Sequence, residues 1–453
     1  MSSNLRIRQA VSLAVGAAGA AAATMGFAPL ALAVDATGPD ASAAPDAALQ
    51  EVVVTGSRIR RVDVETANAV FVVDQTMIQD SGIQTVGDLV QRIPSVSGKG
   101  TTPNVNNGGG FGSSSVELRG LDARRTLVLV DGRRQGIVGD PSVSATDVNQ
   151  IPLNLIDHIE VLKEGAGAIY GSDAVGGVVN FITLAPTAVP VLKLAAQGNH
   201  TGYRCADLTA GFSKGRWGFV LSSYYAGKKN GFLEYSDYHK GIFTARADYR
   251  FSEKTALSNS LTWLDYFSDM PGGIDSTMFA QHSFSNPQTF TYRNVYALRY
   301  HSTLTQAWND HSKTTVSLLY RNNTIGQNPA YRIKDDYRRQ GSAFTGKKDL
   351  AHGEINASSF QSYSWIAQHR QSFGWKKAVL IAGLNMDLSP SAYQADYIRI
   401  KKDTVTKKYT GYQATDSALT DYRTKLNNYA AFAHFDFHQR GLAFDAVAAQ
   451  QPA

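Results

Sequence analysis

His434, Asp436 and His438 alternate along a strand-like run, so all three face one side, and by residue type they form a possible metal-ligand set. Spacing decides against it. At about 3.3 Å rise per residue, His434 and His438 stand about 13 Å apart on a straight strand. One ion with ligand bonds of about 2.1 Å cannot join them, and they read as polar residues facing a lumen. Gly165, Gly167 and Gly171 miss the dinucleotide-binding glycine spacing by one residue and lead into no amphipathic helix. The Gly-rich loop Thr101–Ser115 runs into Ser115-Val116, where a phosphate-binding loop needs Lys-Ser or Lys-Thr. No H-E-x-x-H, G-x-S-x-G or paired-cysteine pattern occurs. Cys205 is the sole cysteine, which excludes an intramolecular disulfide, and it reads as a small apolar filler. The basic pairs Arg124-Arg125 and Arg133-Arg134 stand in no nucleic-acid-binding motif. These residues predict no enzyme, no cofactor, no bound metal and no nucleic-acid partner.

The elements that must position these residues fall into two unlike halves. Of 21 tyrosines only Tyr170 precedes Pro190, and all five tryptophans follow it. Residues 34–190 carry 18 Asp and Glu against 11 Lys and Arg, a formal −7, whereas residues 191–453 carry 20 against 31, a formal +11. The boundary lies at Pro186–Pro190. No run of 18 or more apolar residues marks a spanning helix, but spanning strands carry apolar residues only at alternate positions and give a far weaker signal.

Residues 1–33 read as a signal peptide. Arg6 and Arg8 form the positive start, Ala10–Ala23 the apolar core, and Ala31-Leu32-Ala33 the small-residue cleavage site, so the mature chain is expected to begin at Val34. Residues 34–48 are Ala, Asp, Pro and Gly, with too little apolar surface to fold, and read as a tether. In residues 49–59 three consecutive valines, Val52-Val53-Val54, favour an extended segment. It is either captured by strand addition to another protein's sheet edge or an ordinary first strand.

Residues 60–185 read as an α+β domain. Asn68–Asp74 is a strand, and Thr85 with Asp88 is spaced as a capping box. Ile83, Val86, Leu89, Val90 and Ile93 give a helical core stripe that Pro94 closes. Ser115–Leu121 and Thr126–Gln135 are expected strands, the second folded at Asp131-Gly132, and Asn154–Asp157 is expected as one helical turn. Ile159–Leu162 and Val178–Ile182 form a β-turn-β element around a Gly-rich turn. The loop Thr101–Ser115 is either a solvated linker or a contact surface offering Asn104, Asn106, Asn107 and Phe111.

From 190 to 453 the pattern is period two. Phe243, Ala245, Ala247, Tyr249 and Phe251 share one face, and Thr244, Arg246, Asp248 and Arg250 the other; Trp217, Phe219, Leu221 and Tyr225 repeat the rule. An aromatic-rich face with Tyr and Trp near strand ends predicts a membrane barrel rather than a soluble sandwich. Short turns fall at Ser213–Arg216 and Phe251–Lys254, and long loops at Ser268–Arg293, Asn322–Ser362 and Asp387–Asn427. Ten or eleven strands are expected, about half of the 22 in plugged transporter barrels.

The spelling adds to the pattern. Ile159–Thr183, Glu51–Gly56, Val86–Pro94, Val116–Gly120 and Leu127–Gly132 together resemble the plug domain of TonB-dependent outer-membrane receptors, over Leu49 to Thr183. The resemblance implies an α+β plug domain followed by an antiparallel transmembrane β-barrel, here apparently incomplete. It implies that Glu51, Val52, Val53, Val54 and Thr55 are the TonB box. It also implies that Arg119 and Lys163 latch the plug to barrel carboxylates; the family has arginine where Lys163 stands, and lysine lacks its bidentate fork. The partners implied are the TonB energy-transducing complex, a small-molecule ligand at the extracellular face and outer-membrane lipid. The function implied is active uptake of a scarce ligand of the ferric siderophore, cobalamin or oligosaccharide class. A passive porin and a truncated, non-functional receptor remnant are the alternatives.

Overall fold

A computed structural model describes residues 70–81, 83, 85–96, 114–135, 146–163, 165, 174–231, 233–273, 276–281, 284–340, 343–375, 378–439 and 442–450. The signal peptide, tether and TonB box, and the loop bearing Asn104, Asn106, Asn107 and Phe111, lie outside the described residues.

The first unit is a five-stranded sheet with β1 (Val70–Val73), β2 (Thr126–Val130), β3 (Arg133–Arg134), β4 (Ile156–Leu162) and β5 (Gly177–Thr183), in the order β1-β4-β5-β2-β3. Only β2 and β5 pair in parallel; the other pairs are antiparallel. Helix Val86–Gln91 starts as its capping box requires, with the Thr85 hydroxyl oxygen accepting from Asp88 N at 3.1 Å. Its stripe of Val86, Leu89, Val90 and Ile93 joins Val128, Ile159, Val161 and Phe181 in one core. Asp131 (φ 50°) and Gly132 (φ 74°) both take the left-handed conformation of a two-residue hairpin turn. The turn is tied down from three sides. The Asp131 carboxylate accepts from Thr183 N and Oγ1, each at 2.8 Å. Gly132 N donates to Asn180 Oδ1 at 2.9 Å, and Asn180 Nδ2 donates to the buried Glu160 at 3.0 Å.

Two expectations are corrected here. Ser115–Leu121 is not a strand: only a bridge between Val96 and Leu118 forms, because Arg119 (φ 57°), Gly120 (φ 70°) and Asp122 (φ 82°) turn the backbone out of the extended region. The helical turn expected at Asn154–Asp157 is a 3-10 turn at Leu153–Leu155, and β4 already begins at Ile156.

The second unit is an antiparallel sheet. Its path runs through β6 (Val191–Gly198), β7 (Tyr203–Lys214), β8 (Trp217–Lys228), β9 (Tyr238–Arg250), β10 (Thr255–Asp269), β11 (Tyr292–Asn309) and β12 (Ser312–Asn328). It continues through β16 (Leu350–Ser372), β17 (Val379–Lys402), β18 (Tyr409–Gln439) and β19 (Leu442–Gln450). Short β13 (Lys334–Asp335) pairs with β16, and β14 (Arg338–Gln340) with β15 (Ala343–Thr345) forms a small ribbon. Among the described residues β6 and β19 each pair on one side only, so this part of the barrel is not closed. No helix is long and apolar enough to cross a membrane among the described residues.

The period-two pattern holds as expected. Trp217, Leu221, Tyr225, Leu261, Leu304, Leu318 and Leu384 are exposed on the outer face, while Ser222, Thr244, Arg321 and Asn323 are buried on the inner one. Trp217 packs at a tilt against Tyr249 across β8 and β9, at 4.4 Å between ring centres, beside the short turns. The loop expectations at Asn322–Ser362 and Asp387–Asn427 are corrected. The strands β12 and β16 enclose only residues 329–349, and β17 and β18 only 403–408. Polar residues interrupt the outer ends of these strands around a small apolar cluster of Ala351, Ile398 and Ile400, which hides an extended backbone from a search for apolar alternation.

Candidate functional site: the interface between plug and barrel wall

The β2–β3 hairpin presents two adjacent arginines to the sheet. Arg133 Nη2 donates to Thr303 Oγ1 on β11 at 2.7 Å and to Ser317 Oγ on β12 at 2.8 Å. Burial pushes its guanidinium down to about 10, against the pull of Asp131, so it stays charged at neutral pH. In return Arg321 on β12 donates from Nη1 to the Arg134 carbonyl at 3.1 Å. Plug and wall thus exchange guanidinium donors.

A second contact is built by the 3-10 turn Val148–Gln150. Asp147 caps it, accepting from Asn149 N at 3.1 Å and from Ser114 N at 3.0 Å. The turn aims Gln150 at the wall. Arg299 Nη2 donates to Gln150 Oε1 at 2.7 Å and Arg299 Nη1 to the Gln150 carbonyl at 3.3 Å, while Asn323 Nδ2 donates to the same Oε1 at 3.0 Å. Asp147 itself lies 3.9 Å from Arg293 Nη2, both side chains buried.

A third contact lies where the plug chain approaches the barrel. Asn154 Nδ2 lies 3.3–3.4 Å from Thr209 Oγ1 and from the carbonyls of Leu208 and Ser223. Arg246, held by Asp248 through two 3.0 Å bonds, donates to the Leu184 carbonyl at 3.2 Å. These contacts between plug and wall are polar and come one at a time. An apolar interface of the same extent has no directional bonds to break in sequence. Between the hairpin and the wall lies a cavity of about 180 Å³.

On the plug, His158 sits between Asp157 at 2.7 Å and Glu160 at 3.7 Å. The hydrogen bond to Asp157, and then the nearby Glu160 carboxylate, raise its imidazole to about 9 against the cost of partial burial.

Of the residues singled out in the sequence, Arg119 donates from Nη2 to the Val175 carbonyl at 3.4 Å, and Lys163 lies 5.1 Å from the centre of the Phe71 ring. Both contacts are within the plug. His434 is buried on β18, opposite Ile381 on β17. The residues expected to form the TonB box, Glu51, Val52, Val53, Val54 and Thr55, lie outside the described residues. Gln150, Arg299 and Arg321 were not marked by any motif. The available signal was arginine recurring at 293, 299 and 321 on one face of β11 and β12, among apolar and neutral polar residues such as Val295, Ala297, Thr303, Ser317 and Asn323.

Comparison with known proteins places this geometry. Residues 63–178 match the family model described as TonB-dependent receptor plug domain. A vitamin B12 transporter BtuB of Photobacterium profundum is 28% identical over 180 residues, covering 39% of this chain and 28% of the relative. One of Vibrio vulnificus is 27% identical over 233 residues, covering 49% of this chain and 36% of the relative. The chain therefore spans only about a third of the length of such curated relatives. Among solved structures, Pseudomonas aeruginosa FpvA bound to a ferric pyoverdine superposes with a TM-score of 0.68 at 13% identity, over 88% of this chain and 53% of that one. The unliganded ferric citrate transporter FecA gives 0.62 at 17% identity, over 85% and 60%. At such identities the likeness establishes the fold.

Proposed function

The chain belongs to the TonB-dependent receptors, and on that premise we propose that it takes part in energy-coupled uptake of a scarce ligand across the outer membrane. The observation that carries this reading is a plug held against the barrel wall by separate polar bonds, centred on Arg133, Gln150 with Arg299, and Arg321. A passive pore has no use for a plug seated in this way. Wall and plug exchange single hydrogen bonds of about 0.5–1.5 kcal/mol net each, or about 1.5–3 where one partner is charged. Such bonds keep the plug seated at rest and break one after another under a pull.

In this reading the pull comes through the TonB box, Glu51 to Thr55, captured by strand addition to the energy-transducing complex. Ligand is taken at the extracellular face, with Asn104, Asn106, Asn107 and Phe111 as contacts. Arg119 and Lys163 act as a further latch to barrel carboxylates; faster hydrogen exchange across the plug in Arg119→Ala is the sign of it, and unchanged exchange removes it. The ligand class is ferric siderophore, cobalamin or oligosaccharide. The +11 of residues 191–453 favours an anionic ligand among these.

The test is uptake by cells carrying the receptor, with labelled cobalamin and labelled ferric siderophores, before and after collapse of the inner-membrane proton gradient. Accumulation that stops on collapse while surface binding persists supports the reading. Accumulation that continues unchanged assigns a passive pore instead.

A further inference from the structure

The cavity between the hairpin and the wall is not accounted for by plug seating alone. Four guanidiniums line it, Arg124, Arg133 and Arg134 from the plug and Arg321 from β12, together with Gln135, Ser364 and Asp387. The partners of Arg133 on the wall are the neutral hydroxyls of Thr303 and Ser317. Arg321 gives its terminal nitrogens to the Arg134 carbonyl and the Ser362 hydroxyl. Among the described residues Asp387, at 3.9 Å from Arg321, is the one carboxylate lining the cavity. It already accepts from the hydroxyls of Ser362, Ser364 and Ser389. The lining thus holds four positive groups, of which Arg124 is paired with Asp122, against one negative group whose oxygens are occupied.

Two of these guanidiniums lack a full set of acceptors. The Nε atoms of Arg133 and of Arg321 are both buried and without a hydrogen-bond partner among the described residues. A buried donor on a charged group costs free energy until an acceptor reaches it. Size narrows the acceptor. About 180 Å³ is less than the ~300–1,000 Å³ of pockets for drug-sized ligands, so a whole siderophore or corrin does not fit. It holds several water volumes of about 30 Å³ each.

We propose that this cavity binds a small oxyanion, of phosphate or carboxylate chemistry, between the plug hairpin and the barrel wall. Planar guanidinium groups match both oxyanions. Because the donors come from both sides, an occupant ties the hairpin to β12 and stabilises the seated plug by linkage. The site goes beyond the uptake reading and stands without it, since it rests only on the seated plug.

The experiment uses the full chain in detergent micelles, titrated with inorganic phosphate against chloride at constant ionic strength. Phosphorus NMR line width reads binding, and hydrogen exchange of residues 126–135 reads the hairpin. Saturable broadening is expected, together with slower exchange of the hairpin. Arg134→Gln should weaken binding by about tenfold, the worth of one charge-assisted contact. Its backbone carbonyl, which Arg321 uses, is retained. Asp387→Asn removes the opposing charge and should tighten binding; it decides the matter if the arginine variant does not fold. Absence of saturation overturns the proposal. So does an affinity that neither substitution changes, because phosphate then binds elsewhere.

Discussion

Arg299 and Arg321 stand directly opposite each other across β11 and β12, two like charges in register on the inner face of the wall. Such a pair is unfavourable on its own. Each is answered from the plug, Arg299 by Gln150 and Arg321 by the Arg134 carbonyl. The plug therefore supplies an acceptor to each of these two guanidiniums, and its withdrawal takes that acceptor away.

Gln150→Ala removes the acceptor shared by Arg299 and Asn323 and leaves a buried charged donor with one bond fewer. The expected loss is about 1–3 kcal/mol of plug seating. It should be read as faster hydrogen exchange across 147–155 and a lower denaturant midpoint for that region. Unchanged exchange there removes Gln150 from the account.

Gly177 has φ 139°, and a Cβ on it would run into the Leu162 carbonyl and the Leu118 side chain. Gly132 also has positive φ, at 74°, but a Cβ there meets open space. Gly177→Ala is expected to destabilise the plug by more than about 3 kcal/mol, since a steric clash adds to a backbone cost of about 1–3 kcal/mol. Gly132→Ala should cost only about 1–2 kcal/mol. Thermal unfolding of the two variants compares them, and equal losses contradict the packing argument.

His158 makes the plug sensitive to alkaline pH. Its imidazole is raised from an ordinary value of about 6.5 to about 9 by Asp157 and Glu160. A raised value means that the folded state binds the proton more tightly. The stabilisation is fully present below about 6.5 and is lost as pH rises through about 9. Exchange protection of β4, corrected for the intrinsic pH dependence of exchange, should fall across that window in the wild type. His158→Asn should flatten the dependence.

Much of this was legible in the sequence because the relevant signals are local. The Thr85–Asp88 cap, the stripe from Val86 to Ile93, the Asp131-Gly132 turn and the alternation through Ile242–Phe251 are each set by neighbours in the chain. Ser115–Leu121 misled because three residues with positive φ follow a short apolar run. The outer halves of β17 and β18 were hidden because polar residues and register shifts interrupt the apolar alternation. The site itself was mostly illegible. Gln150 and Arg299 meet across 149 positions, and no spacing rule connects a 3-10 turn in one unit with a strand of another. Only the basic pair Arg133-Arg134 was visible, and its role needed the wall.

Val53→Pro tests the coupling end of the chain. Proline removes a backbone donor and so blocks strand addition. Uptake should be lost while ligand binding at the cell surface is nearly unchanged. Transport at the wild-type rate removes the coupling role from residues 51–55.

Movement of the plug relative to the wall is the central claim, and a reversible bridge between Gln150 and Asn323 tests it most directly. In a Cys205→Ser background, Gln150→Cys and Asn323→Cys are joined on intact cells with a short reducible bis-thiol reagent, and binding and uptake are measured before joining, after joining and after reduction. The account predicts that joined receptors bind ligand but do not accumulate it, and that reduction restores uptake to the level of the unjoined variant. Undiminished uptake with the bridge closed would contradict it.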